Sequence, residues 1–343
     1  MGMTLFLLVA MLLAFAYTFS WTYTPHGRLN YLAAFSLHLL SFGYKFKPDP
    51  ELDFEIKLPV NLLYGVGVLW PKKKVGRIED IQFSSGDAEI AARVYWPRAF
   101  NEASSPLPII VYMHGGGFVV GDIDIWDGLT RALAEATTSI VISVDYRLAP
   151  RYPYPAAVND SYAALLWAAE NATSIGGNPA WLVVGGDSAG GNLATAVTLK
   201  ARDENGPSIA AQLLYYPSID LQNSDYPSMQ NFIDGFGLSR ESVMAFRQAY
   251  AGELDEHVEP YLSPIYAPNL ENSPSALVVS AGFDPLTDSV HAFASRLEES
   301  GVEVVEKKYP EMIHGFMSIP LFRQYKDALV ETGKFMQTVL PGY

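Results

Sequence analysis

The 343-residue chain contains no cysteine. That absence excludes disulfides, thiolate metal sites, thiol nucleophiles and an anchor built on a lipidated cysteine. Positive charge is scarce: 23 Lys and Arg stand against 37 Asp and Glu, a net charge of −14. Such a surface repels a phosphate backbone, so nucleic acid is not an expected partner. Internal repeats and low-complexity tracts are absent too. Charged residues make up 17 % and apolar residues 49 %, enough apolar material for a large core and too much for a disordered chain.

Charge is missing altogether from Thr4 to Trp21. About 18 residues at 1.5 Å each span roughly 27 Å, close to the hydrocarbon core of a bilayer. Trp21 and Tyr23 follow where an interfacial aromatic belt sits. Residues 1–25 are therefore read as an anchor segment carrying a soluble catalytic domain. Ala14-Phe15-Ala16 offers a rival, a signal peptide whose cleavage leaves a secreted or periplasmic protein, although no Lys or Arg precedes the apolar run. A third reading is an apolar helix lying on the folded domain. Phe6 stands where myristoylation needs Ser or Thr.

Beyond a mixed aromatic and polar stretch, short apolar runs alternate with helical patterns. The strand candidates are Arg77–Phe83, Glu89–Tyr95, Ile109–Met113, Ile140–Val144, Trp181–Val184, Ala211–Tyr215, Ala276–Ser280 and Val302–Lys307. The inner ones are continuous apolar runs, as in strands buried on both faces of a parallel sheet. Helical patterns occupy Gly128–Thr137, Ala156–Glu170, Ala189–Asp203, Thr287–Ser300 and Leu321–Leu340. This alternation predicts an α/β fold with a mostly parallel sheet. It breaks between about 218 and 273, where Arg240–Ala251 is helical but no strong strand occurs. That interval reads as a cap inserted in a catalytic domain of residues 75–343, with residues 26–74 as the N-terminal part of the cap.

Gly186-Asp187-Ser188-Ala189-Gly190 matches G-x-S-x-G, with a strand before it and a helix after it. The sharp turn needs small neighbours, and the following helix offers its positive end to developing negative charge. Ser188 is the candidate nucleophile. A phosphate-cradling loop is the bland alternative, disfavoured because the loop holds no Lys or Arg. Upstream, His114-Gly115-Gly116-Gly117 follows an apolar strand. Glycines there let backbone N–H groups approach an oxyanion. Gly116 and Gly117 are the expected donors, Ala189 a third, and Gly115 a less certain member; His114 is read as holding the loop.

A serine nucleophile needs a base, itself oriented by a carboxylate. Of six histidines, His314 alone follows the last strand. His291 falls inside a helix and reads as structural; His257 lies in the cap interval. Asp284 closes a strand and opens Asp284-Pro285-Leu286-Thr287-Asp288. Asp288, its competitor, reads as a first-turn helix acid. The order Ser188, Asp284, His314 is that of an α/β-hydrolase triad.

Together these motifs resemble the hormone-sensitive lipase family of esterases. Gly191-Asn192, Asp145-Tyr146-Arg147-Leu148-Ala149-Pro150, Tyr261-Leu262-Ser263-Pro264 and His314-Gly315-Phe316 extend the resemblance from about residue 75 onward. It implies an eight-stranded, mostly parallel sheet flanked by helices, a helical cap, no cofactor, and hydrolysis of short- to medium-chain acyl esters. The N-terminal segment is similar to that of arylacetamide deacetylases, the membrane-anchored members. Arg151 departs from the family, which usually has Glu after Tyr-Arg-Leu-Ala-Pro, and this puts a local ion pair and the docking of the cap in question. The expected partner is a small-molecule ester. An amidase on the same triad, or a non-catalytic ligand receptor on this fold, are the rival functions. Oligomeric state is left open, a homodimer included.

Overall fold

A computed structural model of the protein describes residues 11, 13–41, 71–101, 105–253, 259–340 and 342. Residues 4–10 and 12 of the apolar segment, 42–70 of the N-terminal cap region, and His257 lie outside the described residues.

The centre is one eight-stranded sheet. Its strands are β3 (Arg77–Ser85), β4 (Ala88–Trp96), β5 (Leu107–Met113), β6 (Ile140–Val144), β7 (Gly177–Asp187), β8 (Ala211–Tyr215), β9 (Ser275–Phe283) and β10 (Val304–Ile313). They lie in the order β10-β9-β8-β7-β5-β6-β4-β3. β4 pairs antiparallel with both β3 and β6, and every other pairing is parallel. The sequence predicts all eight strands, though β7 and β10 run further than their apolar runs. β10 gains Lys308 to Ile313, where Pro310 and two charged residues interrupt the apolar pattern.

Side chains alternate across the sheet, and both faces are covered. Ile109, Val111 and Met113 of β5 face one core, while Ile110 and Tyr112 face the other. The first core receives α3 (Ala156–Asn171), α4 (Ala189–Asp203) and α7 (Thr287–Glu299), through residues such as Leu165, Val197 and Phe293. The second receives α2 (Asp127–Ala136) and α8 (Arg323–Val339), through Leu133, Leu329 and Phe335. Two-sided burial is why the inner strands read as unbroken apolar runs rather than alternating ones.

Before the sheet, residues 13–20 are helical, a two-residue ribbon pairs β1 (Tyr23–Thr24) with β2 (Gly27–Arg28), and α1 spans Tyr31–Ser41. Asn30 Oδ1 accepts the amides of Leu32 and Ala33 and so caps α1. This unit is docked: Asn30 N–H donates to the Glu311 carbonyl at 2.8 Å, and Leu29, Ala33 and Ala34 are buried in the same core as Phe283 and Phe316. Trp21 stacks on His38, rings 3.9 Å apart. Among the described residues no helix is long and apolar enough to cross a membrane.

The 218–273 interval holds α5 (Pro227–Phe232), which the sequence pattern does not reveal, and α6 (Arg240–Ala251). Both come back to the core beneath them, through Met229 and Tyr250. Tyr250 of α6 stacks on Phe118 with ring centroids 3.8 Å apart and accepts Tyr154 N–H on its carbonyl at 2.8 Å. Arg151 lies over the Tyr152 ring, and Arg147 of the same motif pairs with buried Asp160 at 2.7 Å.

Candidate active site

Ser188 sits on the turn between β7 and α4 with φ 55° and ψ −118°, a conformation side chains rarely adopt. The turn is held by its own backbone: Ser188 N–H donates to Tyr215 O at 2.9 Å, and Ser188 O accepts from Ser218 N–H at 3.0 Å. A methyl group on Gly190 would overlap the Met113 carbonyl, and one on Gly186 would overlap Gly190. This crowding is the physical content of the two glycines in the motif. Asn192, one turn into α4, donates to the carbonyls of Ser218 and Leu262 at 2.8 and 2.9 Å. It thereby ties the nucleophile helix to both ends of the cap interval.

His314 follows β10, and its ring reaches back over the sheet. Its Nε2 lies 2.9 Å from Ser188 Oγ, and its Nδ1 lies 2.8 Å from Asp284 Oδ2. With a proton on Nδ1 donating to Asp284, Nε2 is free to accept from the serine hydroxyl. Asp284 is fully buried at the end of β9, and its other oxygen accepts Leu286 N–H at 2.9 Å. Three residues far apart in sequence thus form one hydrogen-bonded chain, in the predicted order. Asp288 points elsewhere: it accepts Ser228 N–H at 2.8 Å at the start of α5, while Ser228 Oγ accepts Asp288 N–H at 3.2 Å. That reciprocal pair fastens the start of α5 to α7. His291 bonds Glu306 and lies away from the serine.

The glycine loop runs beside the elbow. Gly116 and Gly117 have φ 120° and 62°, positions that favour glycine. Gly117, Ala189, Ser188 and His314 border one cleft that is open to solvent. Neither Gly116 nor Gly115 is among the residues that border it; Gly115 N–H instead donates to Asp187 Oδ1 at 3.0 Å. A side chain at 115 would collide with the Asp187 carboxylate. His114 is fully buried, stacked on Tyr146, and its Nδ1 faces the Gly115 carbonyl at 2.7 Å. Burial lowers its pKa to about 4, so it stays neutral and holds the loop.

Asp187 makes contacts at the turn that sequence reasoning passes over. Its Oδ1 gathers Tyr112 O–H at 2.8 Å, Trp126 Nε1–H at 2.9 Å and the Gly115 amide. Burial pushes its pKa up to about 6, against these three hydrogen bonds. Its partners lie 61 to 75 residues away, so the motif shows only a variable position. Its place directly before the serine was the one available signal. Among the described residues, no group of three His, Asp or Glu side chains is placed to hold a metal ion.

With this geometry in hand, comparison with known proteins is informative. A family model described as the alpha/beta hydrolase fold matches residues 110–318. The esterase LipI of Mycobacterium tuberculosis is 40 % identical over 242 residues, 70 % of this chain and 75 % of that one. An arylesterase of Saccharolobus solfataricus is 34 % identical over 287 residues, 83 % of this chain and 90 % of its own. The solved structure of a hyperthermophilic esterase from the archaeon Pyrobaculum calidifontis superposes with a TM-score of 0.84 at 33 % identity, covering 90 % of this chain and 98 % of that one. The chain belongs to the hormone-sensitive-lipase-like family of α/β hydrolases, and with it to the serine hydrolases.

Proposed function

We propose that the protein hydrolyses carboxylic esters with short- to medium-chain acyl groups through an acyl-enzyme on Ser188. The observation that carries this reading is the unbroken chain from Ser188 Oγ through His314 to buried Asp284. His314 Nε2 takes the hydroxyl proton as Ser188 attacks the ester carbonyl. Asp284 keeps the proton on Nδ1 and stabilises the imidazolium that forms. The N–H groups of Gly116, Gly117 and Ala189 receive the oxyanion, helped by the N-terminal end of α4. His314 then protonates the leaving alcohol, and water repeats the cycle on the acyl-enzyme. Esterase names among relatives on both the sequence and the structure side favour ester over amide substrates. The receptor alternative is disfavoured by His314 Nε2 lying 2.9 Å from Ser188 Oγ.

The cleft walls include Phe118, Leu221, Met229, Leu238 and Leu286, which suit an acyl chain of modest length. α5 and α6 act as the cap, joined by the N-terminal unit, whose Leu37 and Gly27 lie against Gly237 and Phe283. Attachment of the N-terminal segment to a lipid surface remains part of the proposal. It is supported by the apolar run and by the exposure of Met11, Leu13, Phe15 and Tyr17. The deciding experiment is an acyl-chain series of 4-nitrophenyl esters and matched anilides, with Ser188→Ala as control. Turnover should be confined to the esters, peak at short to medium chains and vanish in the variant; equal anilide turnover would make the protein an amidase.

A further inference from the structure

α6 presents an inward stripe that breaks its own pattern. Val243, Phe246, Arg247 and Tyr250 follow the i, i+3, i+4, i+7 spacing of a buried helix face, while Arg240, Glu241, Met244 and Gln248 are exposed. Three members of the stripe are apolar or aromatic. The fourth, Arg247, is half-buried and borders the same cleft as Ser188 and His314. Its guanidinium makes one long hydrogen bond, 3.5 Å to the Gln222 carbonyl. Among the described residues no carboxylate lies within 4.0 Å of it. Arg93, Arg131 and Arg147, by contrast, are each paired with an aspartate.

An acid borders the cleft as well, and it is treated oppositely. Asp220 Oδ1 accepts the amides of Gln222 and Asn223, and its Oδ2 accepts the hydroxyls of Tyr226 and Tyr266. Its acceptor capacity is taken up by the protein itself. Arg247 keeps most of its five donors for something else, and a planar guanidinium matches a carboxylate best. A half-buried guanidinium that borders a solvent-open cleft keeps its free donors within reach of a ligand.

We propose that Arg247 is a specificity-determining residue that binds a carboxylate carried by the ester substrate away from the scissile bond. The preferred substrates are then anionic esters, such as half-esters of dicarboxylic acids. Their methylene chain lies along Val243 and Leu238, and the charge is met by Arg247. The inference rests on the ester-hydrolase reading above, and its test separates the two.

The experiment compares kcat/KM for matched pairs: 4-nitrophenyl hydrogen adipate against 4-nitrophenyl hexanoate, and 4-carboxyphenyl hexanoate against phenyl hexanoate. In the wild-type protein at least one pair should favour the anion, and the preference should shrink with added salt. Arg247→Met should lower that anionic-to-neutral ratio about tenfold, and Arg247→Lys should retain part of it. If Arg247 merely props the Gln222 loop, both members of each pair fall together and the ratio stays put, which overturns the proposal. A parallel measurement is calorimetric binding of methyl hydrogen adipate to Ser188→Ala, with and without Arg247→Met. Should none of the esters turn over, Arg247-dependent binding upholds the anion site while the esterase reading falls. Binding indifferent to Arg247 overturns the site.

Discussion

Asp187, the residue immediately before the nucleophile, holds the amide of Gly115 at 3.0 Å, so the elbow and the oxyanion loop share one buried carboxylate. The same oxygen also takes Tyr112 and Trp126, which fixes β5 and the start of α2 against the turn. In the proposed mechanism Asp187 is a positioning residue, which would act on the reaction through the loop it holds.

Replacing Asp187 should expose this role. Asp187→Ala leaves three buried donors without an acceptor, at about 1–3 kcal/mol each before relaxation. We expect kcat to fall about a hundredfold, as when an oxyanion donor is misplaced, and the denaturation midpoint to drop. Asp187→Asn keeps one acceptor oxygen and should lose much less of both. A fully active Asp187→Ala protein would show that the loop is held by other means.

Acid stability offers a second test. His114 has a pKa of about 4 in the fold against an ordinary 6.5, so between those values the unfolded chain takes up a proton that the folded one refuses. Stability then falls as pH drops through that window. Asp187 stands at about 6 against an ordinary 3.8, so here the folded state takes up the proton and stability rises as pH drops. At roughly 1.4 kcal/mol per pH unit of separation, each effect is about 3 kcal/mol, and the two nearly cancel. Asp187→Asn removes only the protective one. Its melting temperature should decline more steeply than that of the wild type between pH 6.5 and 4.5. Parallel curves would contradict this account.

The two aspartates after β9 should separate by kinetics. Asp284→Asn leaves Nδ1 of His314 facing an amide and should lower kcat about 10⁴-fold, through the wrong tautomer. Asp288→Asn loosens the contact with Ser228 at the base of α5 and should change kcat far less, with its effect mainly on KM. Reversed outcomes would reassign the carboxylate.

Cap docking can be probed at Tyr250. Its ring is fully buried between Phe118 and Tyr154, stacked on the first and edge-on to the second. Tyr250→Ala should cost about 3–5 kcal/mol in chemical denaturation and raise KM, because Phe118 also borders the cleft. A variant with unchanged stability would mean that α6 is held elsewhere.

Much of this was written in local sequence. The inner strands declare themselves because parallel strands buried on both faces need unbroken apolar runs, as Ile109–Met113 and Ile140–Val144 show. Ser188 and its two glycines are legible because crowding at the turn, from Gly190 and from Met113 of β5, fixes glycine at set places two residues either side of the serine. Asp284 and His314 follow from chain order and from their places at strand ends. What the sequence could not supply depends on distant atoms meeting. The hold of Asp187 on Gly115, the clasp between Asp288 and Ser228, and the stacking of Tyr250 on Phe118 each join separate segments. In the sequence Arg247 is only one position within the helical stretch Arg240–Ala251. Only the docking of α6 decided that it borders the cleft of Ser188, because a helix's spacing fixes which residues share a face but its packing fixes what that face meets.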